Sequence, residues 1–177
     1  MQAAPPPTLI VYTLPRAIDA VLALDRPGML DDALVVHEMT PGERFEIGPF
    51  AAETRLLPHS VPNVGVRLAA ADLNLAYTGD TGPSPDVVSL SEGADLLLAE
   101  ASFVETVPDD AAGSLSSAMQ AGRYATEAGV RQLVLTHLLP GTNRRAAQQS
   151  ASSTFFGPVA VAETGMLMDL RRRRSQP

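Results

Sequence analysis

The sequence predicts an α/β fold, and three observations carry that prediction. Short apolar runs rich in β-branched residues fill the first half of the chain. From about residue 85 onward, strand-like runs alternate with helical stretches. No Pro/Gly/Ser-rich linker divides the 177 residues, so 1–177 is expected to form one domain of α/β layers.

Taken in order, Thr8–Thr13 is a compact β-rich run entered from Pro5-Pro6-Pro7. Residues 15–25 follow a helical pattern through Ile18, Val21, Leu22 and Leu24, which Pro27-Gly28 should end. Leu34–Val36, Arg44–Ile47 and Thr54–Leu57 read as strands joined by Pro-Gly and Gly-Pro turns. Val64–Ala69 and Leu73–Thr78 read as a hairpin around Ala70-Ala71-Asp72. Pro85–Leu90 predicts a short helix, and Asp95–Ala99 is a continuous apolar run suited to a strand buried on both faces. A helix is expected over Ser116–Ala128, where Ala118, Ala121, Gly122, Ala125 and Ala128 would allow close approach to a sheet. The strand Gln132–Thr136, a helix near Arg144–Thr154, and closing strands Val159–Ala162 and Met166–Leu170 complete the prediction.

Composition excludes several classes of function. Hydrophobic residues make up 45% of the chain, which fits a folded core and not disorder. No apolar run approaches the roughly 18 residues of a membrane span. Residues Met1 to Pro7 lack the basic and apolar regions of a secretory signal. With no cysteine, disulfides and thiolate-bound zinc are excluded. These features together fit a cytoplasmic location. The net charge is −7, and four of the 13 basic residues, all of them Arg, fall in the tail Arg171–Arg174. A body that acidic argues against a broad nucleic-acid-binding face.

Any metal site must therefore draw on His, Asp and Glu, and the histidines are His37, His59 and His137. His59, Asp80 and His137 each lie at or just beyond the end of a predicted strand, where loops build sites on a rigid sheet. Each alone has an ordinary reading: a solvated loop histidine, an Asx-turn aspartate between glycines, a satisfied edge histidine. As a set, two imidazoles and a carboxylate suit zinc in the absence of thiolates. His37 sits inside Val35–Met39, where strand alternation turns it outward, and it is left out of the set.

Four ordered stretches resemble the metallo-β-lactamase superfamily, in its ribonuclease Z-like and cyclic-nucleotide-phosphodiesterase-like branch. Leu57-Pro-His-Ser-Val-Pro-Asn-Val-Gly-Val-Arg67 is similar to that branch's third motif, and Tyr77-Thr-Gly-Asp-Thr-Gly-Pro83 to its fourth. Ala94-Asp-Leu-Leu-Leu-Ala-Glu-Ala-Ser-Phe103 resembles its buried strand ending in Glu-Ala-Ser, and Val134-Leu-Thr-His-Leu-Leu-Pro140 its fifth motif. The resemblance implies an αββα metallo-β-lactamase-like sandwich and a metal-dependent hydrolase with two zinc ions. His59 would ligate one ion, His137 the other, and Asp80 both. A carboxylate between two cations offsets their repulsion, while the paired metals lower the pKa of a shared water and clamp a phosphoryl oxygen. Thr81 and Ser114 are then the candidate substrate-binding residues.

The departures from the family are as informative. The second motif, His-x-His-x-Asp-His, is absent, as are the strands and Gly-rich turn that precede it. Ribonuclease Z-like relatives also carry a histidine where this chain has Ser114. As an alternative role, Ser114 or Ser116 is simply a helix N-cap. The resemblance therefore implies a sandwich incomplete at its N-terminus, with at most weak zinc binding and no hydrolysis by this chain alone. The intact parent would act on small phosphodiesters in preference to nucleic acid such as precursor tRNA, with no membrane partner. Exposed sheet edges and apolar faces should promote a homodimer or aggregation. Two further readings stay open: a non-catalytic remnant or interaction module using the fold without metal, and an unrelated α/β binding domain.

Overall fold

The computed structural model describes residues 7–24, 28, 30, 32–71, 73–168 and 170. Their elements run β1 (Leu9–Thr13), α1 (Asp19–Leu22), β2 (Leu34–Glu38), β3 (Arg44–Ile47), β4 (Phe50–Leu57), β5 (Asn63–Ala70) and β6 (Leu73–Tyr77). They continue with α2 (Pro85–Ser91), β7 (Leu96–Glu100), α3 (Ala118–Glu127), β8 (Leu133–Thr136), α4 (Arg144–Ser152) and β9 (Val159–Val161). No described helix is long and apolar enough to cross a membrane.

Strands β3 to β9 form one seven-stranded sheet in sequence order. The pairs from β3 to β6 are antiparallel, and those from β6 to β9 are parallel with helical crossovers. Each crossover helix lands on the same face. Leu57, Ala76, Leu97 and Leu135 point from that face into a core shared with Val87 and Leu90 of α2, Ala121 and Tyr124 of α3, and Ala147 of α4. Fully buried leucines of this kind contribute about 1.5–3 kcal/mol each. β7 is buried on both faces at Leu96 and Leu97, as its continuous apolar run predicts. The architecture is an α/β sandwich of mixed sheet and helices.

The small residues of α3 do allow a close approach, but at Gly122 the neighbour is a helix. A Cβ there would collide with the Ala151 carbonyl oxygen of α4. The helices therefore cross closely at a point where any side chain would separate them.

Two sequence expectations are corrected. The helix over 15–25 reduces to the four residues of α1, which bury nothing and start at Ile18 without a side-chain cap. Arg16 just before it is in the left-handed region (φ 62°), and a helix this short has little to hold it without packing. The expected stop at Pro27 lies outside the described residues, as does Asp72 in the predicted hairpin turn. The closing strand Met166–Leu170 does not form among its described residues. Gly165 makes a turn at φ 78°, and Leu167 beyond it stands almost fully exposed without a partner strand. Asp169 and the tail Arg171–Arg174 lie outside the described residues.

β1 and β2 form a separate two-stranded parallel sheet. Leu9, Ile10, Val35 and Val36 are exposed on it, at 61%, 55%, 51% and 39%. Parallel strands normally require cover on both faces, which these lack within the described residues. His37 is exposed on β2, as expected, and tilts against Tyr12 at a ring distance of 5.2 Å.

Candidate functional site

Strand direction gathers the site. β4 and β6 are both antiparallel to β5, and β7 and β8 are parallel to β6. The C-terminal ends of β4, β6, β7 and β8 therefore meet one edge of the sheet. His59 follows β4, Asp80 follows β6, Glu100 ends β7 and His137 follows β8.

Asp80 and His137 come together: Asp80 Oδ1 lies 3.4 Å from His137 Nδ1, and both side chains are partly exposed. His137 sits in the left-handed region (φ 54°), unusual for a residue other than glycine and a form of strain that concentrates at functional sites. Ser102 Oγ reaches the same Nδ1 at 2.9 Å and donates to the His137 carbonyl at 3.3 Å. The imidazole is thus held by its own backbone conformation and by a buried hydroxyl.

His59 is held separately. Its Nδ1 is 2.7 Å from the Ser114 carbonyl, to which only a protonated nitrogen can donate. That bond leaves Nε2 as the free acceptor, apart from Ser60 Oγ at 3.4 Å. β4 and β8 stand four positions apart in the sheet, roughly 19 Å at the usual strand spacing. Strand β6 stands two positions from each of them, and it is His137 that its Asp80 meets. Among the described residues, no three His, Asp or Glu side chains cluster closely enough to hold a metal ion. Asp80 and His137 are spaced as two ligands of a tetrahedral zinc, about 3.4 Å apart for bonds of about 2.0–2.1 Å. A complete metal site is not formed by these side chains alone.

Thr81 and Ser114 both have their hydroxyls engaged within the chain. Thr81 is 1% exposed, and its hydroxyl donates to the Gly82 carbonyl. Ser114 turns its hydroxyl to the Ala111 carbonyl and holds His59 through its own carbonyl. Neither Ser114 nor Ser116 caps α3. The cap is Ser117, whose side chain accepts from Gln120 N–H. Ser116 is committed elsewhere: its N–H donates to Glu100 Oε1 and its hydroxyl to the Thr81 carbonyl.

Sequence reasoning placed Glu100, Ser102 and Gly82 in motif-like stretches but assigned none of them a role at the site. Glu100, 1% exposed, accepts from the N–H groups of Thr81, Ser102 and Ser116. The available signal was a lone charge at the end of an apolar run, between Ala99 and Ala101, where a buried carboxylate needs donors. Gly82 donates to the Pro58 carbonyl at 2.7 Å, and a Cβ on it would collide with the Gly113 carbonyl. Tyr77, at the end of β6, has its hydroxyl pKa raised above 10.0 by burial first, then by the charges of Asp80 and Glu100.

A family model described as "Beta-lactamase superfamily domain" matches residues 7–138. The chain is 35% identical over 141 residues to an uncharacterised protein of Mycobacterium leprae, covering 79% of this chain and 49% of that one. It is 30% identical over 161 residues to the ribonuclease Z of Methanothermobacter thermautotrophicus, covering 86% and 50%. Among solved structures it is similar to the metallo-β-lactamase fold protein YhfI of Bacillus subtilis. That match has a TM-score of 0.81 at 26% identity, over 92% of this chain and 65% of that one. The chain spans about half the length of these curated relatives.

Proposed function

Because the chain belongs to the metallo-β-lactamase superfamily, we propose that it is the C-terminal part of a zinc-dependent phosphodiesterase, inactive by itself. His59, Asp80 and His137 are its share of the metal ligands, and a polypeptide outside this chain supplies the rest. The observation that carries the reading is the Asp80–His137 pair at 3.4 Å, set on the same sheet edge as an oriented His59, with no third ligand clustered beside the pair among the described residues. The relatives' extra length and the bare faces of β1 and β2 support it. Residues 1–177 are then one domain lacking its first strands and first metal motif.

Substrate choice rests on charge and on position 114. A general acid near a leaving group contributes about 10²–10⁴-fold, and the alcohol of Ser114 is far too weak an acid for that role. Phosphate-backbone affinity needs clustered Lys or Arg, which an acidic body lacks. The ribonuclease Z relative gives no support to excluding nucleic acid. The completed protein therefore prefers small phosphodiesters to precursor tRNA, but not by an absolute bar.

The test is to express the 177-residue chain and a version extended with upstream coding sequence, then measure zinc content and kcat/KM. Small phosphodiesters and precursor tRNA are compared at one salt concentration. We expect zinc and turnover only in the extended protein, with the small substrates faster. Two tightly held zinc ions in the short chain would overturn the reading, and faster tRNA processing would overturn the substrate choice. A second reading is an interaction module without metal, with which the lack of a three-ligand cluster among the described residues is compatible. It predicts that the extended protein also lacks zinc.

A further inference from the structure

We propose that Glu100 is a positioning residue, the common anchor that holds Asp80, His137 and His59 in one arrangement. The inference deepens the proposed metal-dependent hydrolase and rests on that reading for its functional meaning. Glu100 sits at the end of β7, the strand between those that deliver Asp80 and His137. Both of its carboxylate oxygens accept backbone N–H groups, and those groups come from three different segments.

Oε2 accepts from Thr81 at 2.9 Å. That fixes the residue next to Asp80. Oε1 accepts from Ser102 at 3.1 Å, and Ser102 Oγ contacts His137 Nδ1 at 2.9 Å. Oε1 also accepts from Ser116 at 3.0 Å, two residues from the carbonyl that holds His59. Ser116 Oγ donates back to the Thr81 carbonyl at 2.6 Å and closes a ring. The Glu100 N–H in turn donates to Thr78 Oγ, tying the anchor to the start of the Asp80 loop.

No Arg or His pairs with Glu100 in an ion pair among the described residues. Its hydrogen bonds go to loops and none to a helix or strand interior. A carboxylate placed only for packing would be better replaced by an apolar side chain of the same shape. Three donors converging from separate loops fix those loops relative to one another, which is how a site is pre-organised on a rigid strand.

The test uses the 177-residue chain, isotopically labelled, and the variants Glu100→Gln and Val87→Ala. Gln keeps the shape but replaces one acceptor with an NH₂ donor, which must face at least one of the three N–H groups. In the unmutated chain, scalar couplings across hydrogen bonds should link the Thr81, Ser102 and Ser116 amide nitrogens to the Glu100 carboxyl carbon. In Glu100→Gln, exchange at the affected amides should rise about tenfold, equivalent to about 1.4 kcal/mol per lost bond. The His137 and His59 side-chain resonances should shift together. Val87→Ala makes a cavity in the helix-side core, where Val87 is fully buried. It should lower Tm while leaving those histidine resonances in place.

Missing couplings would overturn the proposal even if Glu100→Gln fails to fold. So would histidine resonances that move equally in Val87→Ala, or that stay fixed in Glu100→Gln. None of these readouts needs metal or turnover, so a failed hydrolase reading and a failed anchor are separable. If the extended protein holds zinc, Glu100→Gln should lower its kcat with a smaller effect on KM.

Discussion

Gly82→Ala tests the contact between the Asp80 loop and the segment that holds His59. Gly82 lies where residues 80–82 cross residues 113–114, and its N–H is bonded to the Pro58 carbonyl. An added Cβ would lie 2.8 Å from Ser114 N and closer still to Gly113, and both neighbours are backbone that cannot rotate away. Overpacking of this kind costs about 1–3 kcal/mol. Displacing Ser114 also breaks the His59 Nδ1 bond to its carbonyl, worth about 0.5–1.5 kcal/mol. The sum, about 1.5–4.5 kcal/mol, lowers Tm by about 3–18 °C for a chain of this length. Circular dichroism melts measure the shift, and the His59 ring N–H resonance reports the bond. A Tm within 2 °C of the parent, with that resonance unchanged, would refute both the wedge and the proposed route to His59.

Arg67→Met should cost about 1–2 kcal/mol, because Arg67 Nη1 donates to the Leu90 and Glu92 carbonyls at the end of α2. An urea titration reads this, and an unchanged midpoint would show that water replaces the guanidinium. For the 177-residue chain, adding EDTA should leave Tm within about 1 °C, since a ligand held weaker than its concentration adds almost no stability. A large fall would reveal a tight metal site. Tyr77 and Tyr124 both have raised pKa values, with burial the first cause in each. Because the folded state holds these protons more tightly, their contribution is fully present below pH 10 and is lost as pH rises beyond it. Tyrosinate absorbance should therefore rise late in the native chain, and Tyr77→Phe should remove part of that late phase. A native titration identical to that of the unfolded chain would contradict both shifts.

Much of the fold was legible because its signals are local. The run Asp95–Ala99 suited a strand buried on both sides, and Pro85–Leu90 predicted α2, which the structure starts with a Ser84 cap on Asp86 N–H. The boundaries failed where local signals had no packing behind them, as with residues 15–25. The closing strand at 166–170 failed in the same way, since an apolar alternation without a partner strand is only an exposed segment. The parallel pairing of β1 with β2 was not legible either. Neither strand carries information about the other, and nothing within the described residues covers their faces.

The site divides along the same line. His59, Asp80 and His137 could be placed at strand ends from the sequence, and the shared direction of β4, β6 and β8 then puts those ends on one edge. Which of them meet is not set by strand order, since β6 stands two positions from both β4 and β8; the loop conformations bring Asp80 to His137 and His59 to the Ser114 carbonyl. Glu100 was hidden for a different reason. Its partners are backbone N–H groups, which every residue but proline carries, so no residue type at any spacing betrays them. A buried carboxylate at a strand end is a demand for donors that the sequence cannot locate, and only the arrangement of three loops around β7 shows who answers it.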